Sequence, residues 1–196
     1  MDWLKQKIRS EGRVIGSDII KVDSFLNHQV DPETMVAIGQ EFARRFAALG
    51  ITKVLTIEAS GIAAALTTAL EMRVPLVFAK KGRTAQQAEG VYSTVVHSYT
   101  RKTHATVTVS HLYLGRRDRV LIVDDFLATG EAALGLVDLC RQAEATLCGI
   151  GIIVEKGFQE GGRRLRQLGV PVESLAVIEK ITPAGLVFAE GVPASR

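Results

Sequence analysis

The chain has 196 residues, 47% hydrophobic and 23% charged, with a formal net charge of +3. That composition suits one globular domain and excludes a disordered chain, a collagen and a disulfide scaffold. The charge excess is too slight to mark a nucleic-acid binder, no apolar run approaches the roughly 18 residues that span a bilayer, and charges interrupt the first residues where a secretory leader needs about 7–15 apolar ones; the expectation is a cytoplasmic protein.

Residues 14–30 are short β-branched pieces outside any helical period. Residues 33–49 read as an amphipathic helix, with Met35, Ile38, Phe42, Phe46 and Leu49 at spacings of three and four. Asp31 suits its N-cap, Pro32 its first position and Gly50 its exit. A β-branched strand over 53–57 follows, then a turn at Ser60-Gly61, a helix over 62–71 and a second strand over 74–78. Residues 80–90 are polar and without period, and 91–113 alternate like a hairpin. A buried strand over 119–123, a helix over 130–143 and an apolar strand over 147–154 complete the core. Strands apolar throughout and alternating with helices predict an α/β fold with a doubly wound, mostly parallel sheet covered on both faces. Ligands of such sheets bind beyond the carboxyl ends of the strands. Cys140 and Cys148 lack metal-site spacing and read as buried hydrophobes, and His28, His97, His104 and His111 show no metal-ligand pattern.

The most informative stretch is VLIVDDFLATGEAA, 120–133. A buried strand ends in Asp124 and Asp125, and the small residues Ala128, Thr129, Gly130, Glu131 and Ala132 lead into a helix. Small residues at a helix start leave backbone N–H groups open to an anion, and the helix dipole adds to the attraction. Adjacent acids can accept bonds from vicinal hydroxyls or help hold a divalent metal. Together these describe a site for a ribose 5-phosphate. The lysine of a P-loop is missing, which disfavours an ATPase.

Strand, Asp-Asp, apolar pair, Ala-Thr-Gly and helix resemble the 5-phosphoribosyl 1-pyrophosphate (PRPP) motif of the type I phosphoribosyltransferases. KVDSFLNHQ (21–29), TIEASGI (56–62) and GIGIIVEK (149–156) are similar to the xanthine branch of that family in bacterial purine salvage, and the likeness runs over nearly the whole chain. It implies transfer of the phosphoribosyl group from PRPP to N9 of xanthine, giving XMP and pyrophosphate, with Mg²⁺, in a cytoplasmic homodimer. It also implies one domain. The core would lie at about 33–156, a hood over the base at about 1–30 and 157–196, and a mobile loop at about 80–113.

By the same resemblance, Asp124, Asp125 and Ala128 to Ala132 bind PRPP, and Ala59, Ser60, Gly61 and Lys80 bind pyrophosphate, often across a non-proline cis peptide. Lys81, Arg83, Ser98, Tyr99 and Lys102 are weaker members of the closing loop. Lys156 donates to a purine carbonyl, Asn27 bonds to the base and Ile20 packs on it, where the compared enzymes tend to have Leu. Phe158 reads as either a base contact or core. Mg²⁺ is held mainly by PRPP, with no dedicated protein ligand. Hypoxanthine–guanine members usually carry an acid where this chain has Ala128, so either another group takes the proton or xanthine, an acidic purine, enters already as its anion; the general base is unassigned. The alternatives are a hypoxanthine–guanine or adenine enzyme, disfavoured for adenine because lysine only donates, and a purine-responsive PRPP-binding regulator. A regulator would need a DNA-binding region, and about thirty residues before the first core helix are too few for one.

Overall fold

A computed structural model describes residues 1–16, 19–82, 90–98, 103–183 and 185–190. Helix α1 (Asp2–Glu11) opens the chain, followed by a small hairpin of β1 (Arg13–Ile15) and β2 (Ile19–Lys21) and a π-helical turn, Asp23–Asn27. Then come α2 (Pro32–Arg45), β3 (Lys53–Ile57), α3 (Ile62–Met72), β4 (Leu76–Gly82), β5 (Val91–Ser98), β6 (Thr103–Ser110) and β7 (Arg119–Leu127). The chain continues with α4 (Glu131–Gln142), β8 (Thr146–Lys156), α5 (Gly161–Arg166), β9 (Val172–Thr182) and β10 (Gly185–Phe188).

The main sheet has the order β10-β9-β8-β7-β3-β4-β6-β5. Strands β9, β8, β7, β3 and β4 are parallel neighbours, and antiparallel strands extend both ends. This is the expected α/β sheet. Its strands are apolar throughout because successive residues feed two cores. Val54, Leu121 and Val123 face one core with α1, α2 and α3; Leu55, Val120 and Ile122 face the other with α4 and α5. Asp31 caps α2 as expected, its carboxylate accepting from the Glu33 N–H at 3.2 Å, and Gly50 exits in the left-handed region at φ 58°. Cys140 and Cys148 are free and buried, and burial pushes the Cys140 thiol up to about 12.

Three expectations need correction. Residues 172–182 were assigned to the hood, but β9 extends the parallel sheet, pairing Ile150 with Val172 through to Lys156 with Ile178. Of the segments expected to form a hood, α1, the β1–β2 hairpin and the π turn lie outside the sheet, docked on the β9–β10 edge by Leu4, Ile8 and a 2.7 Å bond from the Lys5 ammonium to the Ala189 carbonyl. Second, β4 starts at Leu76 and runs on through Lys80 and Lys81, which pair with Thr108 and Val107 of β6. Third, the mobile loop expected over about 80–113 takes in too much: β5 and β6 pair as the expected hairpin, and Val96, Val107 and Val109 are buried in the core. A Cβ on Gly135 of α4 would lie 2.5 Å from a Val96 methyl, so β5 rests directly on that helix. Arg83, Tyr99, Lys102 and the side chain of Ser98 lie outside the described residues.

Close approach of α2 to the sheet requires two glycines on β8. A Cβ on Gly149 would stand 2.8 Å from the Phe46 ring, and one on Gly151 2.8 Å from the Phe42 ring. Both rings are fully buried and tilt against each other with centroids 6.3 Å apart, so neither has room to withdraw. Gly151→Ala should therefore cost about 1–3 kcal/mol, the usual penalty for overpacking a filled core. Urea unfolding measures this, and an unchanged midpoint would mean the ring can slide.

Candidate active site

The carboxyl ends of β3, β4, β7 and β8 meet along one rim of the sheet. Strand β7 carries Asp124 and Asp125 to that rim, where both are buried. They are held by different partners. The Asn27 amide donates to Asp125 Oδ2 at 3.5 Å, which brings the π turn of the hood onto the pair. The Asp125 N–H donates to Asp124 Oδ1 at 3.0 Å. Asp124 lies against the turn after β3: a Cβ on Gly61 would fall 2.8 Å from Asp124 Oδ1 and 2.3 Å from the Thr56 hydroxyl. That hydroxyl is buried and has no hydrogen-bond partner among the described residues. Burial pushes the Asp124 carboxyl well above its ordinary value, the neighbouring Asp125 adds to the rise, and the charge of Lys81 opposes it.

The turn after β3 contains a cis Glu58–Ala59 peptide. It is anchored by the Glu58 N–H donating to the Ala79 carbonyl at 3.1 Å and by the Glu58 carboxylate accepting from the Lys81 N–H. Ala59 is exposed, Ser60 half-buried and Gly61 buried at the start of α3. Lys80 and Lys81 follow on β4, both exposed. Strand alternation puts Lys81 on the side of buried Ala79, and it is Lys81 whose charge reaches Asp124.

The loop after β7 enters α4 through Gly130, at φ 87°, a left-handed conformation that favours glycine. No side chain caps the helix start, so its first N–H groups stand open beside half-buried Glu131 and Ala132. The loop is clamped from behind. The Gly161 N–H donates to the Ala128 carbonyl at 3.0 Å, and a Cβ on Gly161 would collide with that oxygen at 2.3 Å. The Arg164 guanidinium donates to the Thr129 carbonyl at 2.7 Å.

Lys156 ends β8, half-buried, beside Glu155. Glu155 is only 4% exposed and is gripped by Arg166 through two bonds of 2.8 and 2.7 Å and by the Ser174 hydroxyl at 2.5 Å. Burial works to raise its carboxyl, but Arg166 and Ser174 outweigh that and hold it below the ordinary range. The strand end that presents Lys156 is thereby fixed. Ile20 sits on β2, 6% exposed, within the hood-side core; Phe158 is largely exposed.

Acid pair, open helix start and strand-end lysine thus share one rim, as in PRPP-dependent enzymes. The pattern of the phosphoribosyl transferase domain matches residues 35–165. The chain belongs to the phosphoribosyltransferase family. A xanthine phosphoribosyltransferase of Oceanobacillus iheyensis is 50% identical over 190 residues, covering 97% of this chain and 98% of the relative. One from Moorella thermoacetica is 53% identical over 188 residues, 96% of each chain. Among solved structures, the adenine phosphoribosyltransferase of Trypanosoma brucei superposes with a TM-score of 0.73 at 23% identity, covering 89% of this chain and 78% of that one. The structural likeness establishes the type I fold; at that identity it says nothing of the base.

Sequence reasoning missed three residues: Thr56, which looks like any strand residue, and Arg164 and Arg166, which act across 33 to 35 and 11 residues of chain. Asp124→Asn supplies a test of the site's electrostatics. A group whose folded pKa is raised contributes stability below its unfolded value and loses it as pH rises through the folded value. At neutral pH Asp124 therefore costs stability, because the unfolded chain ionises it freely and the folded one does not. Asp124→Asn should melt higher than wild type at pH 7, an advantage that shrinks toward pH 3, while PRPP binding falls by at least about tenfold. Melting curves and PRPP titration check this; a lower melting temperature at pH 7 contradicts it.

Proposed function

We propose that this chain transfers the 5-phosphoribosyl group of PRPP to N9 of xanthine, releasing pyrophosphate and XMP. The observation that carries the reading is the juxtaposition of the Asp124–Asp125 pair with the open start of α4, in a chain about half identical to xanthine phosphoribosyltransferases over nearly their full length. Asp124 and Asp125 accept bonds from the ribose hydroxyls. Backbone N–H groups from Thr129 to Ala132 receive the 5-phosphate. Ala59, Ser60 and Gly61, with Lys80 or Lys81, receive the pyrophosphate.

Base and sugar must be held in line while positive charge develops at the anomeric carbon. The chain provides that alignment from both sides. Lys156 donates to an exocyclic carbonyl of the purine, Asn27 bonds to its edge and Ile20 packs on its face. Ala128 has no proton-accepting group, so the chain takes xanthine as its anion, which Lys156 also pairs with by charge. Mg²⁺ would be held mainly by PRPP, with the carboxylates of Asp124 and Asp125 close enough to the rim to assist. When bound with PRPP, the ion neutralises charge on the leaving pyrophosphate.

The working unit is a homodimer in the cytoplasm. Leu66 and Leu70, one turn apart on α3, are 56% and 69% exposed, an apolar edge suited to a second copy. No helix among the described residues is long and apolar enough to cross a membrane.

The deciding assay measures pyrophosphate release with PRPP, Mg²⁺ and each of xanthine, guanine, hypoxanthine and adenine. Xanthine should give the highest kcat/KM, and adenine none. Lys156→Gln should lower kcat/KM for xanthine about tenfold to a hundredfold, the value of a hydrogen bond to a charged group. PRPP binding without purine should hold. Equal loss of both substrates would remove Lys156 from the base subsite.

A further inference from the structure

The residue most closely built into the proposed phosphate loop belongs to neither of the strands that present it. Arg164 lies on α5, and its Nη1 donates to the Thr129 carbonyl at 2.7 Å and to the Glu131 carboxylate at 2.5 Å. Both side chains are about one-third exposed, 31% and 30%. The short helix can come this close because Gly161 has no side chain. Gly161 approaches so closely that an added Cβ would stand 2.3 Å from the Ala128 carbonyl and 2.8 Å from the Gly130 nitrogen.

Glu131 poses a problem that Arg164 solves. It is the first residue of α4, where a carboxylate favours the helix by answering its dipole. A phosphate bound at the same N–H groups needs that same partial positive charge. An unmasked carboxylate would compete with the phosphate and repel it. We propose that Arg164 is a positioning residue for PRPP: it masks the charge of Glu131 and fixes the Thr129 carbonyl on the α5 side, so the loop's N–H groups stay available to the 5-phosphate. The inference rests on reading Thr129 to Ala132 as the 5-phosphate cradle.

The test is a double-mutant cycle on steady-state kinetics, with melting curves as the check on folding. Arg164→Gln keeps a donor for the Thr129 carbonyl but loses the charge. It should raise the KM for PRPP by about tenfold, with kcat within about threefold of wild type and the KM for xanthine unchanged. Adding Glu131→Gln to that variant should recover most of the loss, because the charge to be masked is gone. A role as a mere structural staple predicts no such recovery. Arg164→Lys keeps the charge and guards against a variant that fails to fold; its KM for PRPP should stay within about threefold. Failure of Glu131→Gln to restore binding, or an equal loss with Lys and Gln, overturns the inference. Gly130→Val separates the two readings. If it leaves the KM for PRPP unchanged, the cradle itself is misplaced; if it raises that KM while Arg164→Gln does not, only the role of Arg164 falls.

Discussion

Two carboxyl groups side by side at the end of a buried strand are the constraint on which the rest of the site depends. Such groups are driven from the interior unless partners hold them. Here Asn27, from a remote part of the chain, donates to Asp125, the Asp125 N–H donates to Asp124, and the Gly61 turn comes so near Asp124 that a side chain there would collide with it. Holding the pair therefore pulls hood, first turn and central strand to one point. The raised pKa of Asp124 is what remains unrelieved. It is a stored cost that a polyhydroxyl ligand would relieve by donating to the carboxylate, so the site gains stability when it fills.

The sheet makes this arrangement possible because its middle strands have no solvent face. Two cores, one on each side, fix the strand ends. Where α2 must lie flat against β8, side chains are dispensed with altogether at Gly149 and Gly151. Rigidity at the rim is reinforced by Glu155, whose bonds to Arg166 and Ser174 tie β8 to α5 and β9.

Much of this was legible in the sequence, for identifiable reasons. Strands β3, β7 and β8 announce themselves because both of their faces are covered, which leaves unbroken apolar runs. The PRPP loop is legible because its chemistry is local: acids, small residues and a helix start within ten positions. Helix α1 is not legible, since only Leu4 and Ile8 of its residues are buried and, apart from the exposed Trp3, the remainder is charged or polar. Strand β9 reads as part of the hood because the segment between β8 and it holds only the six-residue helix α5, too short to show a helical period. The end of β4 was read as loop because Lys80, Lys81 and Gly82 have no apolar pattern; they are held by backbone pairing to β6 instead. Arg164 and Thr56 were invisible for a related reason. Their significance lies in contacts that no spacing encodes.

The tight seat of Gly161 on the Ala128–Gly130 loop has an evolutionary consequence. Only four residues separate it from Lys156, so in the proposed reading one short segment serves the purine end and the phosphate end together. Substitutions there that retune the choice of base will also disturb grip on the common co-substrate. The hood, joined to the acids by one long amide contact, carries no such linkage. Positions of the hood that do not touch the acids, such as Ile20, are therefore freer to vary than the locked β8–α5 segment.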